Sequence, residues 1–375
     1  MMKSVSIRIM LAVLAVIFIF ANQPYAQNID LSGQASAAAT LGTDPSEGRS
    51  HLDEIASYIP TLAIGLPIGP SRLIDFEAAY KGDALLDGFF GSGPGGADTH
   101  GELFRLWGRY SSERLELRAG LQKISFGPGL ILRPLNWFDT LDPKDPTGQT
   151  DGVTAIRARY FFGNTLNLTG WAIRPDNFDL IAPGGRIEKT FSMGDAAISY
   201  HHRPAYETAD IRGNAGIPLL PSATYEDRFA ADLRVDIGIG LWTEAVHSRA
   251  SNMNRSLIMA GGDFTFDIGN GLYILGEHLI DIRRKLTPGD DESDHITAAM
   301  MNYPIGISES LVMIVEYDWQ RKLLFNYLRV QRDYDRLSLN LMIFANPGRD
   351  EFGFETPSAL AGFGTGIQFM VIYNH

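Results

Sequence analysis

The chain of 375 residues contains no cysteine. That absence excludes a disulfide framework, a cysteine-ligated zinc site, an iron–sulfur cluster and covalently attached c-type haem. A basic surplus is missing too: 32 Lys and Arg stand against 44 Asp and Glu, a formal charge of −12. A general nucleic-acid binder needs the opposite balance, so no nucleic-acid partner is expected. Beyond residue 26 no long apolar run occurs. The uncharged stretches 55–71 and 356–374 are broken by Pro60, Pro67 and Pro70 and by Gly362, Gly364 and Gly366. A membrane-spanning helix needs about 20 apolar residues in a row, so none is expected there.

Catalytic signatures are also lacking. The chain has 8 histidines, but no His-Glu-x-x-His, Gly-x-Ser-x-Gly or phosphate-loop motif. His201 and His202 are adjacent on an expected strand, so they point to opposite faces, and a rim position is expected for the pair. Asp290, Asp291, Glu292 and Asp294 lack the spacing of a calcium loop. The chain is read as a non-enzyme with no catalytic residue, no metal site and no cofactor.

What is present begins with an export signal. Lys3 and Arg8 precede a short apolar run, Ile9 to Ala21, and cleavage is expected after Ala26. Residues 1–26 are thus a signal peptide and 27–375 the exported domain.

That domain reads as strand after strand. Leu115, Leu117, Ala119 and Leu121 alternate with Glu116, Arg118, Gly120 and Gln122, and Ile156, Ala158, Tyr160 and Phe162 with Ala155, Arg157, Arg159 and Phe161. A period of two sends one set to each face of a sheet. Seventeen such segments are expected, at 29–41, 52–66, 72–86, 99–112, 114–126, 152–162, 165–175, 189–203, 223–237, 239–251, 255–267, 271–284, 294–304, 308–321, 323–335, 337–346 and 361–374. Many exceed the roughly 5–6 residues of soluble strands and suit a tilted membrane wall. Tight turns such as 267–271 alternate with long loops at 42–51, 87–98, 127–151, 176–188, 204–222, 285–293 and 347–360. The expected fold is all-β: a transmembrane antiparallel β-barrel of about 16 strands, range 14–18, even-numbered as bacterial barrels are. Trp107, Tyr110, Tyr160, Phe161, Phe162, Trp171, Trp242, Tyr273, Tyr317 and Trp319 are expected in part to form interface girdles.

If the apolar faces meet lipid, the charged faces look inward. Arg105, Arg109, Glu116, Arg118, Arg157, Arg159, Asp232, Arg234, Glu316 and Asp318 are the pore-lining candidates. Arginines gather between 105 and 159 and acids between 226 and 318, so two walls of opposite sign are one arrangement, and ordinary lumen ion pairs the other. The loop 127–151 carries Leu130, Ile131, Leu132, Leu135, Trp137 and Phe138, which a solvated loop does not need. Folding back into the lumen would bury them, and packing over one mouth would as well. Arg133, Trp137, Phe138, Asp139, Asp142 and Asp145 are the constriction-loop candidates, with Asp142-Pro143 and Asp145-Pro146 setting rigid turns.

The run from Gly120-Leu121-Gln122-Lys123-Ile124 through Leu132-Arg133-Pro134-Leu135, Trp137-Phe138-Asp139 and Asp145-Pro146 to Thr150-Asp151-Gly152-Val153 resembles porin-like outer-membrane barrels of Gram-negative bacteria. Within that group it resembles the barrels found with exported multihaem cytochromes. The C-terminal alternation of Ile367, Phe369, Val371 and Tyr373 resembles the terminal strand that the barrel-assembly machinery reads, although Asn374 and His375 follow the aromatic residue. The resemblance implies a channel in the outer membrane, in contact with its lipid, for passive or substrate-selective diffusion of small polar solutes. Its alternative is a sleeve or scaffold for a periplasmic or surface partner such as a multihaem cytochrome. A soluble exported β protein is the third reading.

Overall fold

A computed structural model describes residues 28–44, 51–87, 96–174, 180–204, 225–250, 253–285, 291–348 and 363–375. The expected signal peptide lies outside them. Among the described residues the chain forms 18 strands and no helix. They are β1 (Asn28–Asp44), β2 (Leu52–Pro67), β3 (Leu73–Asp87), β4 (Gly96–Ser111), β5 (Leu115–Gln122), β6 (Val153–Phe162), β7 (Leu166–Arg174), β8 (Ala182–Phe191), β9 (Gly194–Arg203), β10 (Glu226–Asp236), β11 (Gly240–Ala250), β12 (Met253–Phe266), β13 (Leu272–Lys285), β14 (Glu292–Pro304), β15 (Glu309–Asp318), β16 (Leu323–Asp333), β17 (Leu337–Ala345) and β18 (Phe363–Asn374).

Each strand pairs antiparallel with its neighbours in sequence, and β1 also pairs with β18, from Gln34↔Asn374 to Asp44↔Phe363. The sheet is closed and has no free lateral edge around the seam, which is how a sheet satisfies its backbone in lipid. The count is 18 rather than about 16. The strand absent from the seventeen expected segments is β8, whose Pro183-Gly184-Gly185 start reads in sequence as part of the 176–188 loop. Gly184 is nevertheless paired across the sheet with Trp171. The missing Cβ leaves room for the indole to lie against the backbone, so the glycine here fits a strand.

The two ends of the barrel differ. Connections 68–72, 112–114, 163–165, 192–193, 237–239, 267–271, 305–308 and 334–336 lie at one end, where β1 starts and β18 stops. The strand ends that flank 45–51, 88–95, 123–152, 175–181, 204–225, 251–252, 286–291, 319–322 and 346–362 lie at the other. In outer-membrane barrels the short turns are periplasmic and the long loops extracellular.

One parity of each strand is apolar and exposed. On β12 and its following turn, Ile258, Phe264, Phe266 and Ile268 all point outward and are exposed. From Ile258 to Ile268 is ten residues, about 25 Å along a tilted wall, the height of a lipid-facing band. Outward aromatic pairs, Phe264–Phe266 at 4.8 Å and Tyr317–Trp319 at 4.9 Å, lie near its two borders. The other parity faces in. Trp107, Phe161, Trp171, Trp242 and Tyr273 have this parity, so they are not girdle residues. Trp171 and Trp242 are buried in the interior because their indole N–H groups find buried acceptors there.

Candidate functional site: a loop folded across the lumen and an arginine row beneath it

β5 is 8 residues long, whereas its neighbour β4 has 16. The chain therefore leaves the wall early, at Lys123, and returns at Val153. Between them it touches strands on every side. Gly129 and Leu135 N–H donate to Glu244 on β11, at 2.7 and 2.9 Å. Leu130, Ile131 and Leu132 N–H donate to Glu277 on β13, at 2.8, 2.9 and 2.6 Å. Lys144 Nζ lies 2.8 Å from Glu316 on β15, and Tyr327 Oη on β16 donates to Lys144 O at 2.6 Å. Gln149 Nε2 donates to Gln34 Oε1 on β1 at 3.0 Å. One segment reaches β1, β11, β13, β15 and β16 together only from inside the barrel. The loop crosses the lumen.

Apolar burial and carboxylates share the task of holding it. Ile131, Leu132 and Leu135 are buried against Trp242, Val246, Leu257, Met259, Leu275 and Leu279 on the inner wall. Each such side chain removed from water contributes roughly 1.5–3 kcal/mol. Gly127, in the left-handed region at φ 83°, and Gly129 bring the backbone against Glu244 where a Cβ would collide with its carboxylate. Trp137 and Phe138 pack with Phe126 and Trp171 around His201, which accepts from Trp171 Nε1 at 3.2 Å. His201 is thus buried in an aromatic cluster instead of sitting in water at the rim; His202, on the opposite face, pairs with Asp227 at 2.8 Å.

The loop's charged candidates serve its own shape. Arg133 Nη2 donates to Asp139 Oδ2 at 2.9 Å and to Ser125 Oγ at 2.9 Å. Asp142 accepts from Lys144 N at 2.9 Å, and Asp145 from Thr147 N at 2.8 Å, so two Asp-Pro turns build the far limb. Burial opposes Lys144's charge, but Glu316 and Asp142 outweigh it and hold the ammonium above the usual lysine range.

Burial likewise opposes ionisation of Asp139, but Arg133, Ser125 and the Leu141 N–H outweigh it and hold the carboxyl below the usual range. The folded loop therefore favours the charged form. Its stabilisation is complete above the ordinary aspartate value of about 3.9 and fades as pH falls through the lower folded value. Asp145, which burial pushes up, acts in the opposite sense. Protease sensitivity of the loop is expected to rise in one step below about pH 4. In Arg133→Gln that step should vanish, leaving the loop sensitive at neutral pH; an unchanged step would show that Asp139 is not its source.

The remaining candidates divide by side of the barrel. Asp232 is buried and bound by Arg186 at 2.6 and 2.9 Å, Glu316 takes Lys144, and Asp318 takes Arg321 at 2.6 Å. Arg234 is exposed, 6.0 Å over the Trp242 ring. The acids of β10 to β15 are thus consumed by the loop and by neighbours, and form no open acidic wall. On β3 to β6 the arrangement is looser. Arg109, Arg118 and Arg157 are direct cross-strand partners in one inward row. Arg109 Nε donates to Asp75 at 2.9 Å, Arg157 Nη2 to Glu116 at 2.8 Å, and Arg159 Nε to Thr169 Oγ1 at 3.3 Å. Arg105 is buried, with Nη1 donating to Phe104 O at 2.6 Å and Nη2 to Thr150 O. A cavity of about 360 Å³ separates the loop's return limb from β1–β4, lined by Gln34, Thr61, Glu77, Arg105, Gln149 and Asn374.

Glu277, Lys144, Gln34 and Gln149 were not among the sequence candidates, because their partners come from the far wall. A Gly-Pro-Gly segment in an apolar loop was the available signal that backbone must approach something closely.

No family model matches the sequence, and no curated protein matches it. Solved structures do match in shape. OccAB1 of Acinetobacter baumannii has a TM-score of 0.58 at 8% identity, over 93% of this chain and 95% of that one. OmpF of Salmonella typhi, in complex with daunomycin, has a TM-score of 0.52 at 10% identity, over 92% and 97%. An anion-selective porin from Comamonas acidovorans has a TM-score of 0.51 at 11% identity, over 93% and 100%. These likenesses lend no support to the cytochrome-associated group within the resemblance. A closed antiparallel barrel with an apolar outer band, short turns at one end and a loop laid across its lumen is the porin-like fold of the outer membrane.

Proposed function

We propose that the chain is a channel for small polar solutes, with the 127–151 segment as its constriction and no enzymatic role. One observation carries this reading. The inward loop fills the β10–β16 side with apolar contacts but faces β1–β4 across a polar cavity that includes Arg105 and Glu77. A loop meant only to seal would be packed on both sides. Arg105, Arg109, Glu116, Arg118, Arg157 and Arg159 belong to the water-bearing side in this reading. Asp232, Glu316, Asp318, Arg133 and Asp139 maintain the frame. In this reading passage is driven by the solute gradient.

Reconstitution of the folded barrel in planar bilayers is the test. Discrete, ohmic conductance steps are expected, and Gln149→Trp should shrink them by half or more by crowding the cavity. A barrel that shows heat-modifiable migration on gels yet never conducts would overturn the reading.

A further inference from the structure

Several arginines inside this barrel have a carboxylate of their own, while Arg105 donates to two backbone carbonyls. Arg255 donates to Asp281 through Nε and Nη2, both at 2.8 Å, and Arg186 grips Asp232 through both terminal nitrogens. Arg109 has Asp75. Arg118 and Arg157 depart from this pattern. They sit directly opposite each other on β5 and β6, where side chains approach closely and like charges repel. The one carboxylate near both is Glu116, 2.8 Å from Arg157, 3.8 Å from Arg118 and 3.5 Å from Arg109. At 3.8 Å the contact with Arg118 is too long for a hydrogen bond. Three guanidinium groups thus draw on Glu116, and Arg109 alone of them also has Asp75, so Arg118 and Arg157 are left with one anion between them.

Two further observations show the pair to be held ready for an acceptor. Nε of Arg118 and Nε of Arg157 are buried and have no hydrogen-bond partner among the described residues. The Arg118 guanidinium lies 4.3 Å over the Trp107 ring, which fixes its plane, while the indole N–H is turned to Glu77 at 3.3 Å. Both side chains keep some exposure to the lumen, 16% and 14%. Arg118 is three residues from the turn end of β5, roughly 10 Å along the strand. The pair therefore sits toward the turn end of the wall, with the Trp107 ring between Arg118 and the Glu77 side of the cavity.

We propose that Arg118 and Arg157 form a binding site for a small oxyanion, a carboxylate or phosphate group, on the periplasmic side of the constriction. The planar forks of two adjacent guanidinium groups match such a group bidentately, and its charge would relieve the repulsion along the row. The site rests on the channel reading only for the ligand's route. Binding itself requires no transport.

Isothermal titration of the folded, full-length barrel in detergent tests it, with inorganic phosphate and with succinate as separate probes. Saturable binding near one per chain is expected for at least one probe, and the stronger of the two names the source. Arg118→Gln and Arg157→Gln should each weaken it tenfold or more. Arg118→Lys, which keeps the charge and loses the fork, should weaken it severalfold. Arg332→Gln, exposed at the turn end, should leave it unchanged. Heat-modifiable migration verifies that each variant is folded. Absence of saturable binding in the parent, or binding as strong as the parent's in both glutamine variants, would overturn the proposal. A barrel that binds without conducting keeps the site and removes the channel; one that conducts without binding does the reverse.

Discussion

Glu277→Gln combined with Glu244→Gln is expected to release the inward loop and raise single-channel conductance severalfold. Glu277 accepts from three successive backbone N–H groups and from Trp242 Nε1 at 3.1 Å, and Glu244 from two more N–H groups. Hydrogen bonds to a charged group contribute about 1.5–3 kcal/mol each. Glutamine keeps one acceptor oxygen and turns an NH₂ donor toward amides that are themselves donors. Two such bonds are lost at Glu277 and one at Glu244, about 3–6 and 1.5–3 kcal/mol respectively, and 1.4 kcal/mol is a factor of ten in population. The apolar contacts of Ile131, Leu132 and Leu135 remain, so the single Glu277→Gln variant should flicker between levels and the double variant should stay open. Limited proteolysis within 127–151 gives a readout that does not depend on conductance. Wild-type conductance together with wild-type protease resistance in the double variant would mean that apolar packing alone keeps the loop in place.

The second large effect concerns the outer face. Met313→Arg should destabilise the barrel by about 2–4 kcal/mol, the cost of a basic side chain facing lipid near the bilayer midplane. Met313 points outward on β15 and is 37% exposed, with Leu311 on one side and Val315 on the other. Ile307→Arg places the same charge at the turn, where the residue is fully exposed and the cost falls to about 0–1 kcal/mol. Reversible unfolding in denaturant with lipid vesicles measures both. Equal costs at the two positions would displace the apolar band from where the outward columns put it.

Much of the wall was readable as period-two alternation, because one face of each strand meets lipid and the other does not. β11 shows it plainly, with Leu241, Ala245, His247 and Arg249 exposed between buried neighbours. β8 was not readable, since proline and two glycines mark a turn unless the Trp171 ring opposite is known. The inward burial of the 127–151 loop was one of two readings, and its apolar content alone left both open. Which wall receives it depends on the far-strand carboxylates Glu244 and Glu277, a pairing of residues over a hundred positions apart. The arginines of β4 to β6 were legible as lumen residues. Their alignment in a single row was not, because register between strands is set by turns and packing rather than by local composition.

The seam between β1 and β18 has a consequence for timing. Gln34 Nε2 donates to Asn374 Oδ1 at 3.1 Å, across 340 residues of chain. The first strand to emerge from export has its last partner at the end of the polypeptide, so the cylinder closes only once the whole chain is available. The loop's receptors on β11 to β16 are likewise made after the loop itself. Until those strands are in place Ile131, Leu132 and Leu135 have nothing to pack against. An unclosed intermediate thus carries both an open sheet edge and an unshielded apolar segment, the combination that invites aggregation. Seating the loop and sealing the seam thus both wait for strands that come after the loop in the chain.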